Sequence, residues 1–406
     1  MKKKVLMLGG SLFQVPAIEK AKALGLTVYT CGNIPTDPGH ALADAYHPVS
    51  TTDLEGVLAL ARELMVDGVS AYASDPAAVT AAYVSEQLGL PGDPYRATCT
   101  IQDKVDLRAV QAELGLPAPE ALLCRGPEDI LRTVVRWEHG GIIKPVDASG
   151  SKGVHTVPPG IGKEEAGRVF EDALANSRSK RVVLEEFLRR EGPQMTGDAV
   201  VHQGRIKAWC FGDVHFDPRV NGLVPCGVTL PGSMEEPLVE KAMADVQRLI
   251  DHLGLRQGVY NIDIFKDERG RPIVVDIGTR PGGNMLTTLY QCRTGLDMME
   301  LAVRMSVGDE DLDIRPVPTR RCVSHLVIHS HRSGILEGIT LSDRIRPYVF
   351  YKAITVPDGA AVEPFTAASK RVGLLLLEFP DVKEMHDIYA HQDEHVRVAL
   401  REPRTP

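Results

Sequence analysis

The sequence predicts a mixed α/β and α+β chain: an N-terminal doubly wound parallel sheet, two further α+β lobes and a small C-terminal α+β domain. Three observations predict it. Over the first hundred residues, apolar runs of strand length alternate with runs of helical period, the mark of parallel strands joined by helices. Near residue 270, two strand-like runs flank a polar link containing Gly, which is a hairpin pattern. Pro- and Gly-bearing breaks fall at Leu90–Pro94 and Asp309–Thr319, so domains are expected over 1–100, 101–311 and 312–406.

The elements follow in order. Lys4–Leu8 has the pattern of a buried strand, Val15–Leu24 of a helix, Thr27–Cys31 of a second strand and Leu54–Met65 of a second helix. Val69–Ala73 reads as a third strand and Ala77–Leu88 as a third helix. Gly9-Gly10-Ser11 could set backbone amides near an anion at a helix N-terminus. A tight strand-to-helix turn explains it equally well, and Gly-x-Gly-x-x-Gly is absent. Asp103–Leu114 reads as a helix closed by Gly115 and Pro117. Beyond it come the helix Pro127–Trp137, the strand Gly141–Val146, the Gly/Ser loop Asp147–Gly153, the strand Val154–Val157, the helix Lys163–Ala175 and the strand Arg181–Phe187. Residues 197–311 hold further strands, the helix Glu236–Leu253, the hairpin and a helix over Met298–Val307. Residues 320–406 form a last α+β stretch with a frayed end at Arg401–Pro406.

With 406 residues, the chain can bury two or three cores. A net charge of −8 argues against a nucleic-acid backbone as the main partner. No apolar run is long enough to span a bilayer. The basic start Met1–Lys4 leads into a run that stops at Gly9-Gly10, so it reads as a first strand rather than a signal peptide. The 7 cysteines are scattered without Cys-x-x-Cys, which fits reduced thiols in a cytoplasmic protein.

The chemistry concentrates in the hairpin. Val259–Phe265 and Ile273–Ile277 each carry a carboxylate inside an apolar run, Asp263 and Asp276. Such a group is unfavourable unless compensated, and Mg²⁺, which takes one or two carboxylates plus phosphate oxygens, is the natural candidate. A surface hairpin with ordinary salt bridges is the alternative. Arg280, with Pro281-Gly282-Gly283, sits where the strand gives way to a loop, and its fork suits phosphate or carboxylate. Lys104 opens a helix, Lys144 lies on a strand before the Gly/Ser loop, and Val182–Leu188 carries Glu185 and Glu186. Together these imply a nucleotide-triphosphate site. It is neither a P-loop nor a protein-kinase site, since neither motif is present.

In order and spacing, these features resemble the ATP-grasp superfamily of carboxylate–amine ligases, over roughly residues 1–310. Asp103-Lys104 and Leu114-Gly115-Leu116-Pro117 are similar to its Asp-Lys helix and Gly-Leu-Pro segment. Lys144 with Ser149–Gly153 resembles its lysine strand and phosphate-covering loop, Glu185–Leu188 its adenine-binding linker, and Asp276–Gly283 its Glu-x-Asn-x-Arg signature. Thr294–Asp297 before a helix matches its usual continuation. The resemblance implies ATP and Mg²⁺, with Mn²⁺ as an alternative, and makes residues 119–188 a lid lobe over the nucleotide.

The implied roles follow. Lys104, Lys144, Ser149, Gly150, Ser151, Gly153, Glu185, Glu186, Leu188 and Gln194 bind ATP; Asp263 and Asp276 bind the metal; Arg280 and Lys144 act on the transferring phosphoryl group. Two departures stand out. Both metal positions are Asp rather than Glu, and Gly278 replaces the usual Asn; Asn261 or Asn284 could partly compensate. On the substrate side the candidates are His215, Arg219, Gly282, Gly283, Asn284 and Arg293, with Phe211–Ser233 as a long substrate loop. His325, His329 and His331 alternate onto one strand face, as half-exposed strand residues rather than metal ligands. Lys370 and Arg371 could also reach the active site. The expected activity is ATP-dependent joining of a carboxylate to an amine, with amino acids as substrates; a carboxylase, a formyltransferase or a silent nucleotide-binding regulator are the alternatives. The expected partners are small molecules, with no nucleic acid or membrane and a homodimer left open.

Overall fold

The computed structural model describes residues 2–147, 151–317, 319 and 321–402. In chain order its first elements are β1 (Lys4–Leu8), α1 (Val15–Ala23), β2 (Thr27–Cys31), β3 (Ala45–His47), α2 (Leu54–Leu64), β4 (Gly68–Ser70), α3 (Asp75–Leu88), α4 (Tyr95–Gln102) and α5 (Lys104–Glu113). Then come β5 (Ala121–Cys124), α6 (Pro127–Val134), β6 (Gly141–Pro145), β7 (His155–Val157), α7 (Lys163–Ala175) and β8 (Val182–Glu186). The middle of the chain holds β9 (Met195–His202), β10 (Arg205–Asp217), β11 (Asn221–Leu230), α8 (Glu236–Leu253), β12 (Gly258–Lys266), β13 (Pro272–Gly278), α9 (Leu286–Thr294) and α10 (Met298–Ser306). The last are β14 (Cys322–Ile328), β15 (Gly334–Leu341), β16 (Val349–Ile354), β17 (Ala361–Val362), β18 (Gly373–Phe379), α11 (Val382–Ala390), α12 (Gln392–His395) and β19 (Val396–Arg401).

The chain divides into two compact units, the first made of residues 1–118, 197–210 and 235–317 and the second of the rest. In the first, β3-β2-β1-β4 form a sheet whose pairings are all parallel. Leu6 and Leu8 pack with α2 on one face, while Val5 and Met7 pack with α1 and α10 on the other. Alternate residues of a strand point to opposite faces, so helices on both sides explain why β1 is apolar throughout. The doubly wound reading is met. A second group of strands runs β13-β12-β9-β10.

In the second unit, β5-β8-β6-β7 form a sheet over a core that includes Ile130, Val134, Ile143, Phe170 and Leu184. Strands β11, β14, β18 and β16 follow β10 in order, and β17-β15-β19 make a small sheet. Among the described residues no helix is long and apolar enough to cross a membrane.

Two expectations need correction, and one open reading is decided. The third strand stops at Ser70 rather than Ala73, because Ala73 takes a left-handed conformation (φ 56°) and Tyr72 O accepts from Gln14 Nε2. Of the two readings of Gly9–Ser11, the tight turn fits better, since Gln14 Oε1 takes the Ser11 amide at 2.9 Å. Phe211–Ser233 is not a long loop. It falls mainly in the antiparallel strands β10 and β11, which turn tightly through Pro218–Val220.

Candidate active site

In the first unit, β12 and β13 pair so that Asp263 lies opposite Asp276 and Asn261 opposite Gly278. Cross-strand partners share a face, so both carboxylates stand on one surface, half-buried. The register slips just beyond, where Ile264 pairs with Val274 and Val275 is the extra residue. Such bulges re-aim side chains.

Helix α5 explains how a lysine reaches this pair. Asp103 caps it by accepting from Val105 N and Asp106 N. Lys104, Arg108 and Gln111 recur at helical spacing and therefore share a face. They run along β13: Lys104 Nζ is 3.3 Å from Asp276 Oδ2, Arg108 Nη2 donates to Val275 O at 2.6 Å, and Gln111 Nε2 donates to Val274 O at 2.9 Å. Two buried side chains thus satisfy the carbonyls at the bulge, and Lys104 is delivered to the carboxylate.

Arg280 continues the face of Asp276. Its Nε and Nη2 bond both oxygens of Asp75 at 2.7 and 2.9 Å. Burial works to lower its pKa, and Asp75, with Asp198 and Asp276 further away, reverses this and holds it above the usual value. Gly282 N donates to both oxygens of Asp198, at 3.1 and 3.0 Å, and Asn261 Nδ2 donates to Asp198 Oδ1 at 2.9 Å and to Gly197 O at 3.1 Å. Asp198 is 0% exposed, and burial pushes its carboxyl up to about 6, against the Gly282 and Asn261 hydrogen bonds. It anchors the start of the Gly282–Gly283 loop. Asn284 and Met285 follow in left-handed backbone (φ 54° and 62°), a conformation that Asn tolerates and Met does not favour. Arg293 lies half-buried in the last turn of α9.

Sequence reasoning missed Asp75 and Asp198. Asp198 carried the signal that exposed the hairpin, a carboxylate inside an apolar run, Ala199–Val201. Asp75 carried none beyond a helix start.

In the second unit, Lys144 on β6 and Glu185 on β8 meet diagonally across the strand pair, Nζ to Oε2 2.5 Å, and both are buried. Glu186 N is taken up by Glu120 O, and half-buried Leu188 lies past the end of β8. Ser151 Oγ donates to Leu223 O at 2.7 Å, and Gly153 has φ 67°. Ser149 and Gly150 lie outside the described residues. Gln194 Oε1 accepts from Arg190 at 3.3 Å.

The proposed substrate residues here are engaged within the protein. His215 bonds Thr229 Oγ1 at 2.9 Å and packs on Tyr389; burial, then His386, lowers it to about 4. Arg219 grips Asp217 through both oxygens and also meets Asp393. His329 and His331 bond the same Asp217 at 3.2 and 2.7 Å. His325 is 1% exposed within β14, so the half-exposed reading fails for it. The strand ends at Ile328, and His329 and His331 lie just beyond it. Lys370 pairs with Glu363 at 2.7 Å, and burial lowers the pKa of Arg371 to about 10.

No family model matches the chain. A formate-dependent phosphoribosylglycinamide formyltransferase of Burkholderia pseudomallei is 26% identical over 404 residues, 95% of this chain and 92% of that one. Among solved structures, an L-amino acid ligase from Bacillus licheniformis matches with a TM-score of 0.81 and 20% identity over 99% of each chain. The biotin carboxylase domain of a 2-oxoglutarate carboxylase from Hydrogenobacter thermophilus, solved with MgADP and bicarbonate, matches with a TM-score of 0.75 and 17% identity, over 98% of this chain and 91% of that one. The fold is shared with these ligases and carboxylases, and the whole-length likeness to a formyltransferase agrees with the ATP-grasp resemblance of the motifs.

Proposed function

We propose that the enzyme uses ATP to activate a small carboxylate and passes the acyl group to an amine. The observation that carries this is the register of the hairpin: Asp263 faces Asp276, with Lys104 at its edge and Arg280 on the same face. A carboxylate oxygen attacks the γ-phosphorus and ADP leaves. The amine nitrogen then attacks the acyl carbon, phosphate leaves, and the nitrogen gives up a proton. Both steps bring anions together, so fixed cations are the main need. Lys104 and Arg280 supply them beside the carboxylate pair, and Lys144, held by Glu185, is a further candidate.

The donor set of Asp263 and Asp276 fits Mg²⁺, which takes few protein carboxylates and completes its shell with phosphate and water. Bound there, the ion would neutralise charge on the transferring phosphoryl group. Asn261 would enter this shell through Oδ1, since an amide binds a metal by its oxygen, while its Nδ2 is spent on Asp198 and Gly197.

For the carboxylate, formate is the first reading. It is supported by the formyltransferase whose likeness runs through 95% of this chain. Phe211–Ser233, as a strand pair rather than a long loop, does not itself favour a larger acyl donor. The test is phosphate release from ATP and Mg²⁺ with formate and phosphoribosylglycinamide together, with each alone, with bicarbonate, and with amino-acid pairs. Release needing both formate and the amine is expected. Release only with amino acids would replace the formate reading, and none with any pair would sink the enzymatic one.

A further inference from the structure

Gly278 has so far stood as a missing ligand, and the structure supplies a reason for its bareness. Residues 276, 278 and 280 alternate onto one face of β13 and its extension. Over the middle position lies the Asp75 carboxylate, from the first residue of α3. A Cβ built on Gly278 would sit 2.7 Å from Asp75 Oδ1 and 3.3 Å from Arg280 Cζ and Nε. Side-chain carbons do not approach oxygen so closely, so any residue but glycine would push the carboxylate away. That carboxylate is held by two hydrogen bonds to the guanidinium, the bidentate form that fixes plane as well as distance. The third fixed bond is Arg280 Nη1 to Pro281 O at 3.2 Å. A guanidinium has five N–H groups, so with three committed, two remain for a ligand among the described contacts.

We infer that Asp75 is the positioning residue for Arg280, and that glycine at 278 exists to admit it. This rests on the reading of Arg280 as a cation for the transferring phosphoryl group. The acid at 75 and a side chain at 278 exclude each other, so the short metal shell and the clamped arginine are one arrangement. Asp75 fixes which N–H groups of Arg280 face outward and keeps the guanidinium from swinging onto Asp276 when the metal site is empty.

Four proteins test it: the wild type, Asp75→Ala, Gly278→Asn, and the double variant. Thermal unfolding reads the exclusion without any turnover. Gly278→Asn is expected to lower Tm by about 4 °C or more with Asp75 present and by less than half as much in the Asp75→Ala background. Equal losses in both backgrounds would overturn the exclusion, whatever the enzyme's substrates. Turnover reads the positioning. Asp75→Ala is expected to lower kcat about tenfold or more, with KM for ATP changed less than about threefold, and Asp75→Glu should recover part of the loss. An unchanged kcat in folded Asp75→Ala would refute the role of Asp75. Absence of turnover in the wild type with every substrate pair would strike the proposed function alone, because the Tm cycle would still decide the exclusion.

Discussion

Asp198 and Asp217 are both carboxylates buried in strands, 0% and 3% exposed, and the protein treats them in opposite ways. Asp198, in the first unit, accepts hydrogen bonds from N–H groups of Gly282 and Asn261 among the described residues, and burial outweighs these and the charge of Arg280, so its carboxyl rises to about 6. Asp217, in the second, has Arg219 on both oxygens and His329 and His331 on one, and these outweigh its burial and hold it far below the usual range. Burial alone does not set the sign. What decides it is whether a cation bonds the acid directly, as Arg219 does at Asp217, or acts only from further off, as Arg280 does at Asp198. At Asp198 the hydrogen bonds from Gly282 and Asn261 hold the glycine loop beside Arg280. A charged anchor suits the β10–β11 turn, which it ties to the chain after β14.

The largest stability effect is expected at Asp217. Asp217→Asn should lower stability by about 3 kcal/mol at neutral pH, since it removes charge-assisted bonds from a buried site. A depressed carboxyl contributes stability above its unfolded pKa and loses it as pH falls toward the folded value. The difference between wild type and variant in urea unfolding should therefore shrink below about pH 4. A difference constant into acid would break the charged half of the comparison. At Asp198 the slope reverses. Between about pH 4 and 6 the folded protein keeps a proton that the unfolded chain has lost, so folding weakens as pH rises, by about 3 kcal/mol in all. Asp198→Asn should remove that slope, and urea unfolding at pH 4 and pH 7 checks it. A wild-type slope identical to the variant's would show that Asp198 is ionised throughout.

A smaller effect tests burial of a cation against neutral oxygens. Arg108 is 4% exposed and donates to Val275 O and Gln111 Oε1. Arg108→Met keeps the apolar stem and leaves the bulge carbonyl short of a donor, for a loss of about 2 kcal/mol in denaturant unfolding. No measurable loss would mean that water replaces the guanidinium there.

Much of this was legible in the residues. A carboxylate inside an apolar strand identified Asp263 and Asp276, and the polar link with Gly270 paired them. The same rule would have found Asp198, which lies next to Ala199–Val201. Periodicity placed Lys104 on a helix, but only the position of β13 shows why Arg108 and Gln111 share its face. The bulge at Val275 was hidden because both strands are apolar on either side of it. The reason for Gly278 was out of reach, because Asp75 and Arg280 are 205 residues apart in sequence. Arg219 and His215 looked available as substrate ligands because one sequence does not show Asp217, Asp393 or Tyr389 closing on them.

The least effect on stability is expected where the greatest effect on turnover lies. Asp276 is a third kind of carboxylate, 40% exposed at its side chain, with Lys104 3.3 Å away. Water already solvates much of it, so its ion pair adds little to folding. Asp276→Asn should shift stability by no more than about 1 kcal/mol and still abolish phosphate release. Mg²⁺ should raise the Tm of the wild type more than that of the variant, because an ion that binds only the folded state stabilises it in proportion to its affinity. A loss as large as that at Asp217 would make Asp276 a structural acid. A folded variant with wild-type release would take the metal role away from it. A carboxylate that the fold can spare, kept half-open beside two cations, is placed for a ligand that arrives from outside.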